Sequence, residues 1–276
     1  MPESIQAEEP LILRSCSLCG SDNHDCPPGI YSQDPWNIKT CPQCGFTYLE
    51  NVPAYPLLES QFAWEKTSLE ESQRRIKSRP RNRRISEGVK LFRRRVLKRD
   101  KLGKWLRRYI QPGNVLDIGC GTGHILENLP ETYHPYGIEI SKELAESSSK
   151  RVEGRGGKII HANAIDGVKT FSQDFFSGVL LSAFLEHESS PDTLLKKLYP
   201  VLKKGAGVII KVPNYSSWNR KVRRNHWCGF RYPDHVNYFT PHTLNRLVKD
   251  CGYHIRRFNF MDHFPLSDNM WMLLQK

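Results

Sequence analysis

Four cysteines stand in two C-x-x-C-G pairs, Cys16 and Cys19 in CSLCG and Cys41 and Cys44 in CPQCG. Each pair can turn two thiolates toward one ion, and two such turns complete a closed tetrahedral site, the chemistry of structural zinc and not of hydrolysis. His24 and Cys26 lie between the pairs as spare ligands and read as bystanders, while Cys120, Cys228 and Cys251 read as ordinary buried or half-buried thiols. Cysteines so arranged suit a reducing compartment, so no disulfides are expected.

A second group is the run VLDIGCGTG, Val115 to Gly123. A buried strand ending near Asp117 enters a turn with Gly119, Gly121 and Gly123, where missing side chains let a ligand approach backbone at a helix N-terminus. Glu139 follows about 20 residues on, at the end of the next strand, where a carboxylate can accept both ribose hydroxyls of an adenosine. A glycine turn alone is weak evidence, since its bland reading is a tight strand-to-helix connection. A nicotinamide-dependent dehydrogenase would carry G-x-G-x-x-G, whereas this loop reads G-C-G-T-G behind an aspartate.

Acid–base candidates are few. Glu186 and His187 lie in SAFLEHE after the fourth predicted strand, where an open α/β sheet presents its site. His235 lies in NHWCGFRYPDHVNYFT, Asn225 to Thr240, whose aromatics, proline and histidines suit a loop folded over a site. The bland readings are that His187 packs a helix start and that His235 bonds backbone in a rigid lid. His235 is the preferred proton acceptor or orienting residue, with His187 its rival.

The elements that must position these groups follow from pattern. The chain has 276 residues and 38% hydrophobic content, enough for one main core plus an appendage. From Cys16 to Cys44 turn formers dominate and aliphatics are scarce, so that segment needs support from elsewhere, and NVPAYPLLES reads as a linker. Ile85, Val89, Phe92 and Val96 form one helical stripe and Leu102, Leu106 and Tyr109 another, with Gly103 expected to break the two and QPGN to end the second. Beyond Val115, strands are expected at NVLDIG, PYGIEI, KIIHAN, SGVLLSA and GVIIKVP, with helices starting near His124, Lys142, Gly167 and Pro191. Alternating strands and helices imply an α/β fold with a doubly wound, mostly parallel sheet. The expected organisation is a zinc-ribbon-like module over 1–53, a basic helical linker over 54–111 and the α/β domain over 112–276.

The formal net charge is +12, concentrated between Arg74 and Arg108. Such a block favours nucleic acid, anionic lipid headgroups or a phosphorylated substrate without choosing among them, and a solvated helix face is an equal reading. No apolar run approaches the roughly 18 residues of a membrane span, and the start MPESIQAEEP has no signal-peptide character. A cytoplasmic protein, at most peripheral to a membrane, is expected.

LDIGCGTG, GIEIS and LEHESSPDTLLKKLYPVLKKGAGVIIKVPN resemble, in order, the motifs of class I S-adenosylmethionine-dependent methyltransferases, over roughly Arg107 to Tyr253. The resemblance implies a Rossmann-like methyltransferase fold and S-adenosylmethionine as cofactor. It implies that Gly119, Gly121 and Gly123 line the methionine part, that Asp117 supports the loop and that Glu139 binds ribose. Ser182 falls on the cofactor side, and Asn163 and Ala164 stand beside the adenine, where the family often has aspartate and asparagine's amide oxygen can accept the same hydrogen bond. The LEH segment borders cofactor and acceptor in similar enzymes, and a W…P-x-H…F-T segment before the last helix resembles small-molecule and sugar methyltransferases. Methylation of an oxygen of a small or carrier-linked metabolite is the expectation. RNA or protein as acceptor and a non-catalytic cofactor-binding scaffold are the alternatives.

Overall fold

The computed structural model describes residues 11–54 and 100–276. The Ile85–Val96 stripe and most of the basic run lie outside the described residues.

The first segment carries short strands β1 (Ile12–Leu13), β2 (Ile38–Thr40), β3 (Thr47–Leu49) and β4 (Asn51–Val52). β2 and β3 form an antiparallel hairpin, and β1 pairs with β4. Helix α1 (Lys101–Tyr109) buries Trp105 and Leu106. Gly103 does not break a helix as expected: it sits in the first turn of α1, where its amide donates to the Asp100 side chain that caps the helix. A Cβ there would meet Asp100 Oδ2 at 1.9 Å, so glycine serves the cap's close approach.

The α/β unit runs β5 (Gly113–Ile118), α2 (His124–Glu127), β6 (Tyr133–Glu139), α3 (Lys142–Val152), β7 (Lys158–His161), α4 (Ala164–Val168), β8 (Phe176–Ser182), α5 (Pro191–Val201) and β9 (Leu202–Pro213). Helix α4 begins three residues before the expected Gly167, because Asn163 accepts from the Asp166 amide and caps it there. Then come α6 (Trp218–Arg223), β10 (Asn237–Tyr238), α7 (Pro241–Asp250), β11 (His254–Arg257) and β12 (Asn269–Gln275).

The main sheet has the order β11-β12-β9-β8-β5-β6-β7. β5 through β9 pair in parallel, whereas β12 is antiparallel to β9 and to β11. Successive strand residues divide between the two faces: Leu116, Val179, Leu181, Val208 and Ile210 join one buried cluster, and Val115, Leu180 and Ile209 the other. A sheet covered on both faces therefore shows as continuous apolar runs, the pattern read from the sequence. Each such fully buried side chain contributes about 1.5–3 kcal/mol. Among the described residues no helix is long and apolar enough to cross a membrane.

The cysteine-bearing segment does not stand apart. β3 pairs antiparallel with β10, Asn237 opposite Tyr48 and Tyr238 opposite Thr47. Cys16, Cys41, Cys44, Phe46 and Tyr48 are buried in the same cluster as Phe239 and the sheet's own residues, which supplies the support the segment lacks.

Candidate active site

At the carboxyl ends of β5 and β6, the glycine turn folds back on the second strand. Gly119 and Cys120 amides donate to the Ile138 carbonyl at 2.8 and 3.3 Å. Gly119, Gly121 and Gly123 all have positive φ, which disfavours any side chain. A Cβ on Gly119 would strike Phe184 at 2.5 Å and one on Gly123 would strike Ser148 Oγ at 2.4 Å. One on Gly121 would meet nothing within 4 Å, so the turn opens to solvent at that residue.

Glu139 reaches this opening. Its Oε2 accepts from the Gly121 amide at 2.8 Å and its Oε1 from the Ser141 amide at 3.0 Å, which fixes the carboxylate beside the turn. Asp117 is buried at the end of β5, and its Oδ2 lacks a hydrogen-bond partner among the described residues. Burial, then the neighbouring Glu139 charge, pushes the Asp117 carboxyl up to about 8. An orphaned buried carboxyl behind an open glycine turn, and an oriented carboxylate beside it, fit a ligand that brings hydroxyl groups to the turn. Ser182, half-buried, ends β8, and Phe184 two residues on packs against Gly119. Asn163 and Ala164 lie after β7, but the Asn163 amide is engaged in its helix cap: Oδ1 accepts from Asp166 N and Nδ2 donates to Asp166 Oδ2 at 2.8 Å.

Beyond β8 the structure brings the distant His235 against the adjacent pair Glu186 and His187. His187 and His235 rings lie 4.8 Å apart, edge to face, and Glu186 is buried beside them. His187 Nδ1 bonds the Asp234 carbonyl at 2.9 Å, and His235 Nδ1 the Gly229 carbonyl at 2.8 Å. A carbonyl only accepts, so in each neutral ring the proton sits on Nδ1 and the lone pair on Nε2. Burial and the Arg231 charge hold His187 down at about 4, so that ring stays neutral at physiological pH. Burial pushes Glu186 up to about 8. Arg231 is itself paired with Asp234 at 2.8 Å.

The lid bearing His235 is tied to the cysteine segment through a residue that the sequence reading passed over. Arg14 Nε donates to the Leu49 carbonyl at 2.7 Å, Nη1 to Ser189 O at 2.8 Å, and Nη2 to Asn237 Oδ1 at 3.0 Å and to the Val236 carbonyl. One guanidinium thus joins β3, the turn after β8 and the lid, and burial lowers it to about 10. Asn237 Nδ2 donates to Leu185 O and Glu188 O, and the amides of Val236 and Asn237 donate to Glu186 O. No local pattern marks Arg14 or Asn237, since their partners lie up to 223 positions away.

Cys16 and Cys44 sulfurs stand 3.5 Å apart and those of Cys19 and Cys41 3.6 Å apart, and all four lie within 4.8 Å of one another. Zn–S bonds of about 2.3 Å in a tetrahedron require sulfur separations of about 3.8 Å, so the donor set fits one zinc ion. His24 turns away to Glu50 Oε1 at 2.8 Å.

The profile of the family described as methyltransferase domain matches residues 83–257. An uncharacterized protein of Methanocaldococcus jannaschii is 26% identical over 148 residues, covering 54% of this chain and 68% of its own. A putative S-adenosylmethionine-dependent methyltransferase from Listeria monocytogenes superposes with a TM-score of 0.51 at 18% identity, covering 64% of this chain and 99% of that one. An S-adenosylmethionine-dependent methyltransferase from Mesorhizobium loti gives 0.50 at 13% identity, covering 62% and 95%. These two share the fold of the sheet and its helices. With a profile match spanning most of the chain and running through the glycine turn, Glu139 and the β8 segment, the chain belongs to the methyltransferase-domain family and is a class I S-adenosylmethionine-dependent methyltransferase.

Proposed function

We propose that this methyltransferase modifies an oxygen of a small or carrier-linked acceptor such as a sugar, with zinc held structurally by Cys16, Cys19, Cys41 and Cys44. The observation that carries the reading is the imidazole pair, with the proton fixed on each Nδ1, beside the β8 end that packs on the glycine turn. An aliphatic hydroxyl is a weak nucleophile and needs a positioned base, whereas an amine or thiolate needs less help.

When bound, the cofactor supplies a sulfonium methyl as electrophile, so the protein mainly orients the acceptor and takes its proton. Glu139 is assigned to the ribose, Gly119, Gly121 and Gly123 with Asp117 to the methionine part, and Ala164, with Asn163 through its backbone or cap, to the adenine side. Ser182 borders the same face. His235 Nε2 accepts the hydroxyl proton, and its Nδ1 bond to Gly229 holds the ring in the tautomer that makes this possible. We assign residues 1–53 to the zinc module, 54–111 to the linker and 112–276 to the catalytic domain, acting in the cytoplasm, where thiols stay reduced. Incubation with labelled S-adenosylmethionine and fractionated cell extract tests the acceptor class: label in a glycan or small-metabolite fraction supports the reading, and label in RNA or protein overturns it.

A second reading is favoured by one observation: a ligand atom from each of Glu186, His187 and His235 lies within 4.8 Å of the others, with Glu186 Oε2 buried and lacking a hydrogen-bond partner among the described residues. Two imidazoles and a carboxylate fit a divalent cation that would acidify the acceptor hydroxyl. Elemental analysis giving two metal ions per chain, reduced to one in Glu186→Gln, decides for it. One ion in both proteins decides for the imidazole base.

A further inference from the structure

We propose that the face formed by α6 and the 260–266 turn docks this enzyme on an anionic lipid bilayer. Helix α6 presents Trp218 and Val222, four residues apart and so on one face, at 56% and 81% exposure. Neither is needed to build the core, since α6 buries no residue at all. The Trp218 amide donates to the Pro265 carbonyl at 2.9 Å and Asn219 Nδ2 to the Leu266 carbonyl at 3.2 Å, which sets the exposed Leu266 beside this face. The same turn carries exposed Phe260 and Met261, with the Phe260 ring 5.4 Å from that of Phe264. On the other flank, Ile30, the most exposed large apolar residue described, lines a cavity of about 830 Å³ with Val222.

Charge decides what covers this apolar surface. Lys221, Arg223 and Arg224 stand on and just after α6, and the segment Trp218–Arg231 contains no acidic residue. Asp262 is buried and neutralised by Lys101 at 2.8 Å and Arg257 at 3.1 Å. Lys101, the first residue of α1, is held by that bond at the residue that follows Met261. A nucleic acid would reward the cations and a stacking ring, but it gives nothing to exposed valine, isoleucine, leucine and methionine. A bilayer interface with acidic headgroups rewards both, tryptophan and aliphatics entering the acyl boundary while lysine and arginine stay among phosphates. The short helix Arg224–His226 after α6 leads through buried Trp227 into the segment with His235, so the docking face is continuous in the chain with the proposed acceptor side. The acceptor class this favours is a lipid-linked one; that choice rests on the proposed function, whereas the docking does not.

Flotation of the full, zinc-loaded chain with vesicles of phosphatidylcholine alone, or with about a third phosphatidylglycerol, tests the inference without turnover. Expected is binding at least about tenfold stronger to the anionic vesicles, weakening with salt, a blue shift of tryptophan emission, and loss of binding of about tenfold or more in Trp218→Ser/Val222→Ser. That double variant keeps its circular dichroism and its stabilisation by S-adenosylhomocysteine. Equal vesicle binding by wild type and variant overturns the proposal, as does absence of flotation. A wild-type dimer in light scattering that the variant abolishes assigns the face to a second copy instead. RNA homopolymer binding lost in the same variant assigns it to nucleic acid.

Discussion

The proposed cofactor half and the proposed acceptor half of this site are built in opposite ways. In the cofactor half, Asp117, the glycine turn and Glu139 lie on adjacent parallel strands, and the bond that joins them, Gly121 N to Glu139 Oε2, spans 18 positions. In the acceptor half, His187 and His235 meet across the lid, and the lid is held by Arg14 from the far end of the chain. A turn closed by its own neighbours forms with the sheet, whereas a lid held by long-range bonds depends on everything that holds it. The two halves should therefore fail separately, with cofactor binding outlasting damage to acceptor chemistry.

The largest effect expected is at the turn. Gly121 has φ of +53° and open space where a Cβ would stand, so Gly121→Arg both strains the backbone and fills the space proposed for the cofactor. Wild-type protein at about a hundred times the S-adenosylhomocysteine Kd should gain about 2.7 kcal/mol, a shift of roughly 5–10 °C in Tm for a chain of this size. That shift should vanish in Gly121→Arg and largely vanish in Glu139→Ala, measured by differential scanning fluorimetry. An undiminished shift in both variants would remove the site assignment. Next comes His235→Ala, expected to lower kcat about 10²-fold to 10⁴-fold while leaving the S-adenosylhomocysteine shift intact. If His187→Ala shows the loss and His235→Ala does not, the proton passes to His187. If His235→Ala unfolds the lid, with lowered Tm and no pH-dependent change in rate, the histidine is structural.

Zinc removal sharpens the comparison further. Elemental analysis of protein prepared without chelator should give one zinc held by the four cysteines, and Cys41→Ser should lose it. Because β3 pairs with β10 and the cysteines share the sheet's buried cluster, loss of the ion should displace the lid. Misplacement by about an ångström costs roughly a hundredfold in rate, with the S-adenosylhomocysteine shift retained. Zinc-free wild type from a chelator-free preparation would refute the module. A stripped protein with full activity would show the lid to be independent of it.

How much was legible in the sequence follows the same division. The five parallel strands and the glycine turn could be read because both faces of that sheet are buried and its loop residues are consecutive. Even there Gly103 misled, since a glycine that breaks a helix and one that admits an N-cap look alike without the Asp100 carboxylate in view. β11, β12 and β10 were not foreseen: β12 is antiparallel within a mostly parallel sheet, and the two residues of β10 are a strand only because β3 lies beside them. His187 and His235 stood out by residue type, but their proximity is a property of the lid's path. Asn163 shows a limit of a different kind, since its amide can cap a helix or meet an adenine, and only the folded chain shows it capping α4.

Arg14→Lys should give the smallest effect and the most discriminating one. The guanidinium satisfies acceptors on Leu49, Ser189, Val236 and Asn237 from a half-buried position, and a lysine's single nitrogen cannot span that set. Each acceptor left unpaired costs about 1–3 kcal/mol where water cannot replace the donor, so Tm should fall by several degrees. The sheet and glycine turn make no bond to Arg14, and all four cysteines remain, so cofactor affinity and zinc content should hold. Turnover should fall about tenfold, corresponding to about 1.4 kcal/mol in the barrier, through a lid that closes less well over the acceptor. Steady-state kinetics beside S-adenosylhomocysteine titration will read both quantities on one preparation. A fall in cofactor affinity as large as the fall in turnover would show the two halves to be coupled through the sheet. An unchanged rate with a lowered Tm would make Arg14 a stabilising residue that plays no part in setting His235.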